Sequence, residues 1–188
     1  MPQAPSPKPQ THRIAIIGPE STGKSLLAEQ LAMHYKTAWV PEYSREYLRD
    51  LDRQYSYDDV LSIAKGQYEM EQQMMSNTRK MLFCDTEFIV NKIWCDDKFG
   101  KCHPWILYMI DAYPYDLYLL CNTDLPWEAD PMREDPHNRE RLFTLYLNEL
   151  KERKLNFSII NGKGEERLRN AINIVDKFAV NFPDNTVN

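Results

Sequence analysis

The chain has 188 residues, a length typical of one domain, and 43% of them are hydrophobic, which is enough for a buried core. Its formal net charge of −5 argues against nucleic-acid binding, which usually requires a basic surface. No apolar run approaches the roughly 18 residues that a membrane span needs, so we expect no membrane partner.

The chain begins with a proline-rich stretch that lacks the apolar core of a secretory signal. Because such a composition cannot bury enough apolar surface to fold, we expect residues 1–12 to form a disordered tail. Residues 13–182 then form the folded domain. We expect the protein to be cytoplasmic, and its oligomeric state is left open.

Five short apolar runs predict strands, because their β-branched, aromatic and leucine-rich residues show little polar alternation. Strands buried on both faces of a parallel sheet have this composition. The predicted strands are residues 14–17, 38–40, 81–84, 117–121 and 157–160.

Helical patterns separate these strands, over residues 24–35, 56–80, 87–99 and 105–112. Ser56 and Asp59 form a capping-box-like start for the second of these helices. The alternation predicts an α/β fold with a doubly wound parallel sheet and right-handed crossovers. Two further helices carry apolar stripes, one through Leu142, Tyr146 and Leu150 and one through Leu168, Ile172, Val175, Ala179 and Phe182.

The four cysteines include no C-x-x-C pair, and reduced thiols in a cytoplasmic protein explain them most simply. Cys84 and Cys121 lie in apolar runs, where buried free thiols are common. Cys95, Cys102 and His103 can be read as metal ligands, but their spacing is unlike that of zinc sites. We therefore predict no metal there.

Residues 18–25, GPESTGKS, fit the pattern G-x-x-x-x-G-K-[ST] between a predicted strand and a predicted helix. Two glycines let the backbone approach an anion, and successive N–H groups at a helix start can hold phosphate oxygens. The lysine can reach the β- and γ-phosphates, and the serine hydroxyl can bind Mg²⁺. The pattern predicts a site for ATP and Mg²⁺ built from Gly18, Glu20, Ser21, Thr22, Gly23, Lys24, Ser25 and Leu26.

An acidic residue, Asp85, ends the third predicted strand, at the sheet edge where the phosphate loop lies. We interpret it as a second Mg²⁺ ligand beside Ser25, binding directly or through a water. The alternative is a structural role, because Asp85 or Thr86 could cap the helix that follows.

The second predicted strand ends in WVPEYSREY, which places Glu42 at the same edge. A carboxylate there can accept a proton from a substrate hydroxyl or orient it, and Arg45 can bind a phosphate or a substrate oxygen. Glu46 competes with Glu42 for the role of base. Alternatively, these charges belong to the solvated face of an amphipathic helix.

Residues 124–139 interrupt the alternation with three prolines and five acidic residues. This segment is too polar for the core and predicts a mobile loop after the fourth strand. GTPases read their base with N-K-x-D, and CNTD at this point lacks the lysine. The chain therefore favours a small-molecule kinase whose lid excludes water, with Arg133 first and Arg139 second to offset phosphate charge.

Five motifs in sequence order resemble the ribosylnicotinamide kinase domain of the bacterial NadR proteins: GPESTGKS, PEYSREY, FCDTEF, HPWILYMIDAYPYDLYLL and PWEADPMR. The resemblance implies a P-loop NTPase three-layer sandwich with a five-stranded parallel sheet, as in nucleoside and nucleotide kinases. It implies ATP-dependent phosphorylation of nicotinamide riboside at its 5′-hydroxyl. On this resemblance the catalytic residues are Lys24, Glu42, Asp85 and Arg133.

The chain departs from the NadR pattern at Ser44, where relatives often have glycine or alanine, and at Pro131, where they often have glycine. A proline stiffens the lid and can change its closure. The chain shows no H-x-G-H, so we expect it to stop at the mononucleotide.

Nicotinamide riboside carries a cationic aromatic ring, which aromatic faces bind well. Candidates by location are Trp39, Tyr43, Phe88, Trp94, Tyr113 and Trp127. We prefer Trp127, because a large aromatic side chain in a polar lid needs a reason. The expected substrate-binding residues are Glu42, Tyr43, Arg45, Asp85, Phe88 and Trp127. Two alternatives remain open, a kinase for another nucleoside or small hydroxyl compound and an ATP-binding regulatory module.

Overall fold

The computed structural model describes residues 11–78, 80–130, 133 and 137–180. Its strands are β1 (His12–Ile17), β2 (Trp39–Val40), β3 (Met81–Asp85), β4 (Leu117–Cys121) and β5 (Phe157–Ile160). Its helices are α1 (Lys24–Tyr35), α2 (Tyr43–Arg49), α3 (Tyr57–Asn77), α4 (Phe88–Phe99), α5 (Pro104–Ala112), α6 (Arg139–Glu152) and α7 (Gly164–Ala179).

The five strands form one parallel sheet, as predicted, and their order in it is β2-β3-β1-β4-β5. Successive residues of a strand point to opposite faces, so each strand supplies two apolar cores. Ala15 and Ile17 of β1 pack with α3, α4, α5 and α6, whereas Ile14 and Ile16 pack with α1 and α7. The predicted α/β three-layer sandwich is therefore confirmed.

The predicted strands and helices agree with the structure to within a few residues, with two differences. Helix α2 comes directly after Glu42. The sequence indicated a helix in this stretch only as the alternative to a functional role for its charged residues. The buried face of α7 consists of Arg167, Ala171, Val175 and Phe178. It shares Val175 with the predicted stripe, and Leu168 and Ile172 of that stripe are partly buried and pack against the same core.

Cys84 and Cys121 are buried and all four cysteines are free, as the sequence suggested. Among the described residues, no group of three or more histidine, cysteine, aspartate or glutamate side chains is arranged to hold a metal ion. Within the same residues, no helix has the length and apolar character to cross a membrane. The predicted tail, residues 1–12, reaches too far into the chain, because His12 begins β1 and pairs with Met81. The expectations for residues 1–10, for Pro131 and for Phe182 lie outside the described residues.

Candidate active site

The loop after β1 turns back at Gly18, which has φ 137°. A Cβ at this position would lie 2.8 Å from the main-chain oxygen of Cys121, at the end of the neighbouring strand β4. Gly23, with φ 74°, begins α1, and a Cβ there would lie 3.0 Å from Leu125 Cδ1. Glycine is required at both positions, as the motif predicted, because φ is positive and neighbouring atoms leave no room for a side chain.

Side chains of the loop bind their own backbone. Thr22 Oγ1 donates a hydrogen bond to the Pro19 carbonyl at 2.8 Å, and Lys24 Nζ donates to the same oxygen at 2.9 Å. The ammonium group therefore lies across the loop, at the start of α1, where the helix dipole also favours an anion.

Asp85 ends β3 in the interior, and both of its carboxylate oxygens are buried without a hydrogen-bond donor among the described residues. Burial, together with repulsion from Glu42, raises its pKa to about 7, although Lys24, Ser25 and Arg45 act in the opposite direction. A recess beside the phosphate loop is lined by Asp85, Ser25 and Glu42. Two carboxylates and a hydroxyl therefore converge there.

The carboxylate of Glu42, just ahead of α2, is held by its neighbours in the chain. Ser44 Oγ donates a hydrogen bond to Oε1 at 2.9 Å, and Arg45 Nε donates to Oε2 at 3.3 Å. Arg45 Nη1 also contacts Asp130 of the lid segment at 3.2 Å. Glu42 is thus oriented at the mouth of the recess, and Arg45 joins α2 to the lid segment.

The described part of the lid segment lies against the phosphate loop at Ser21. The Glu128 N–H donates to Ser21 Oγ at 2.8 Å, and Arg133 Nη1 donates to the same oxygen at 3.3 Å. Arg139 Nη1 binds the main-chain oxygens of Ser21 and Leu125 at 3.2 and 2.9 Å. The two predicted lid arginines are therefore both at the phosphate loop.

A buried arginine of α7, Arg167, supports the loop from behind. It donates hydrogen bonds to the main-chain oxygens of Thr22 at 2.8 Å and Gly162 at 3.0 Å. It also binds the Asp124 carboxylate at 2.8 Å. Because Thr22 and Asp124 are distant from it in the sequence, no local pattern predicts this role of Arg167.

One cavity of about 1080 Å³ runs from the phosphate loop to the connection between α2 and α3. Near the loop it is lined by predicted residues, including Glu42, Arg45 and Arg133. Its far end carries the apolar and aromatic residues Leu48, Leu51, Tyr55, Ile93, Trp94 and Phe99, together with the polar residues Arg53, Gln54, Asp97 and Lys98. Such a cavity fits a nucleotide at one end and an aromatic acceptor at the other.

Four of the predicted substrate-binding residues lie apart from this cavity. Phe88 is buried and packs edge-on against Trp105 at 5.7 Å, so the structure places it in the aromatic core. Trp127 lies 5.9 Å from the Arg139 guanidinium and does not line the cavity. Tyr43 lines the recess with Asp85.

Sequence reasoning missed Tyr55, whose ring meets Trp94 edge-on with the centroids 5.0 Å apart. A signal was present, because Tyr55 stands in the polar stretch DRQYSYDD, just as Trp127 stands in a polar lid. Trp94 was a candidate that could equally have belonged to the core. The structure shows it half-buried in the cavity wall.

Comparisons with known proteins agree with this geometry. The AAA domain family matches residues 13–167. The trifunctional NAD biosynthesis/regulator protein NadR of Salmonella typhimurium is 32% identical over 152 residues, or 77% of this chain. The chain spans 37% of the length of that relative.

Two crystal structures of NadR, one with NAD and AMP-PNP and one with NR, superpose with TM-scores of 0.75 and 0.77. Identities are 22% and 23%, and the matches cover 90% and 89% of this chain and 50% and 51% of those chains. Thymidylate kinase from Ehrlichia chaffeensis has a TM-score of 0.66 at 13% identity, over 90% of this chain and 99% of that chain. These likenesses confirm a P-loop kinase fold. The chain therefore belongs to the AAA domain family and is NadR-like in both sequence and fold.

Proposed function

We propose that this chain transfers the terminal phosphoryl group of ATP to the 5′-hydroxyl of nicotinamide riboside, giving nicotinamide mononucleotide. The choice of ligands is supported by the similar NadR structures, which hold NAD and AMP-PNP in one case and NR in the other. The four free cysteines support a reducing compartment such as the cytoplasm.

One observation carries the proposal: a phosphate loop, an acidic recess and an aromatic cavity end are continuous at one edge of the sheet. Glu42 lines both the recess and the cavity, so it stands where the two adjoin. An acceptor hydroxyl bound from the aromatic end would therefore meet the terminal phosphate beside Glu42.

Mg²⁺ fits the recess at Ser25 and Asp85, because the buried Asp85 oxygens lack a donor and a hydroxyl lies beside them. Bound Mg²⁺ would offset negative charge on the β- and γ-phosphates. A cation there also favours the ionised form of Asp85, whose pKa burial raises.

The chain's own residues account for the transfer. Lys24 would exchange the Pro19 carbonyl for phosphate oxygens, and Arg133 would offset charge on the moving phosphoryl group. Glu42 would accept the proton of the acceptor hydroxyl as its oxygen bonds to the γ-phosphorus and the bond to ADP breaks. The bonds from Ser44 and Arg45 would keep the Glu42 carboxylate in place during this step.

The far end of the cavity suits the nicotinamide ring. Tyr55 and Trp94 are two of the aromatic groups of its wall, and a cationic ring is attracted to such faces by about 0.5–2 kcal/mol. We therefore move the expected stacking role from Trp127 to these two residues.

The test is a panel of nucleosides incubated with ATP and Mg²⁺, with the products identified by mass. We expect nicotinamide riboside to gain one phosphoryl group. Glu42→Gln should lower turnover on the order of 10²–10⁴-fold while ATP binding is kept, because it removes the proton acceptor. Glu46→Gln, which changes the competing acid four residues after Glu42, is the matched control and should keep most of the activity.

Other outcomes separate the alternatives. Phosphorylation of a different nucleoside alone would make the chain a kinase for that acceptor. ATP binding without transfer to any member of the panel would favour a regulatory module. Full turnover by Glu42→Gln would remove Glu42 from the mechanism.

A further inference from the structure

Helix α3 carries two buried carboxylates with parallel surroundings. Asp59 lies in its first turn and Glu71 in its second half, about 18 Å further along the axis at 1.5 Å per residue. Each accepts hydrogen bonds from one arginine and one tyrosine hydroxyl. The proposed mechanism uses neither of them.

Asp59 binds three different parts of the chain. Arg53 donates two hydrogen bonds to it, at 2.6 and 2.9 Å, and Tyr47 of α2 donates one at 2.7 Å. Ser56 donates through both its N–H and its hydroxyl, each at 2.6 Å. These bonds hold the pKa of Asp59 far below its usual range, despite its burial.

The segments that Asp59 binds form one wall of the cavity. Leu51, Arg53, Gln54 and Tyr55 all line it, yet they belong to the irregular connection between α2 and α3. The Tyr55 ring faces Trp94 across that wall. A loop without regular backbone pairing is ordered by its side chains, and the Asp59 bonds hold Arg53 and Ser56, which stand on either side of Tyr55.

We propose that Asp59 is a positioning residue for the acceptor, which fixes the aromatic end of the cavity by holding Arg53, Ser56 and Tyr47 in place. This inference rests on the proposed function, because it assigns the far end of the cavity to the acceptor. Asp59 itself is 4% exposed and does not line the cavity, so it acts through the residues it binds.

Glu71 provides a matched comparison within the same helix. It is fully buried and accepts hydrogen bonds from Arg13 Nη1 at 3.1 Å and from the Tyr115 hydroxyl. Arg13 stands near the start of β1, whereas the phosphate loop follows the end of that strand. Loss of this carboxylate therefore disturbs the core but leaves the cavity wall alone.

The experiment compares Asp59→Asn with Glu71→Gln by steady-state kinetics with both substrates. We expect Asp59→Asn to raise the acceptor KM by about tenfold or more, with the KM for ATP nearly unchanged, because only the acceptor wall is displaced. Glu71→Gln should lower the melting temperature but leave both KM values near those of the wild type. Equal acceptor KM shifts in both variants, or none in Asp59→Asn, would overturn the proposal.

Two milder variants keep the test decisive if Asp59→Asn fails to fold. Tyr47→Phe and Arg53→Gln each remove part of the network, and each should raise the acceptor KM by a smaller factor. Hydrogen exchange supplies a readout that needs no acceptor, with faster exchange expected at residues 50–56 and unchanged exchange in the phosphate loop. If the wild type phosphorylates no nucleoside, the proposed function fails, whereas unchanged exchange at residues 50–56 refutes the role of Asp59.

Discussion

Asp85 ends a central strand with its two carboxylate oxygens buried, and the next residue, Thr86, has φ 72°. A β-branched residue in the left-handed region costs on the order of 1–3 kcal/mol, and strain of this kind collects at functional sites. Burial first, and then the charge of Glu42, raises the pKa of Asp85 to about 7. In the absence of a cation, the folded protein therefore takes up a proton at Asp85.

The first prediction concerns Asp85→Asn and pH. Since the folded pKa is raised above the unfolded value, the stability that the wild-type group contributes is present at low pH and is lost as the pH rises through about 7. Without metal, Asp85→Asn should melt at a higher temperature than the wild type, and the difference should be larger at pH 8 than at pH 5. The corresponding difference in the free energy of unfolding is at most about 4 kcal/mol. Thermal unfolding in a chelator measures this, and phosphoryl transfer should be lost.

Asp50→Asn is the control for this prediction, because Asp50 is an exposed aspartate with 68% of its side chain accessible and its partner, Arg49, stays charged at both pH values. It should show no such difference between the two pH values. If Asp85→Asn changed the melting temperature by the same amount at pH 5 and at pH 8, the charge of Asp85 would not be the cause of the change.

At the scale of elements, the phosphate loop depends on a helix that is remote from it in the sequence. Arg167 of α7 joins the Thr22 carbonyl, the Asp124 carboxylate and the Gly162 carbonyl. Asp124 also accepts a hydrogen bond from the Gly162 N–H at 2.6 Å. The buried guanidinium of Arg167 therefore joins the phosphate loop, the start of the lid segment and the turn before α7.

Arg167→Met should raise the KM for ATP by about tenfold and lower the melting temperature, because it frees the loop and leaves Asp124 without its cation. The acceptor KM should change little, since the far cavity wall belongs to other elements. Arg169→Met is the matched control, because Arg169 is exposed on the same helix and two residues away. An equal rise of both KM values in Arg167→Met would point to general damage instead.

The same elements show what the sequence could predict. The phosphate loop, Glu42 and Asp85 were found because local motifs and strand ends determine their placement in a parallel sheet. Arg167 could not be found, since its bond to Thr22 spans 145 residues. Phe88 was misplaced because its neighbours are aromatic residues from α3 and α5, which periodicity does not bring together.

At the scale of the whole molecule, the cavity has two ends built by different parts of the chain. The phosphate end comes from the loop after β1 with the lid segment, and the aromatic end from residues 48–55 and 90–99. Binding of the two substrates should therefore respond to different substitutions.

Trp94→Leu should raise the acceptor KM by about tenfold, since it removes an aromatic face worth on the order of 1 kcal/mol or more, and should leave the KM for ATP unchanged. Trp127→Leu is the paired variant, because Trp127 lies outside the cavity, and it should leave the acceptor KM as it is. Kinetics with nicotinamide riboside and ATP measure both. The reverse pattern would restore Trp127 as the stacking residue and contradict the assignment of the aromatic end.

The aromatic end comes from two short continuous stretches that contribute nothing to the phosphate loop. If residues 48–55 and 90–99 were replaced by the corresponding segments of another nucleoside kinase, the chain should therefore take on the acceptor specificity of that kinase. A fold arranged in this way can diversify in what it phosphorylates while the chemistry of transfer is inherited intact.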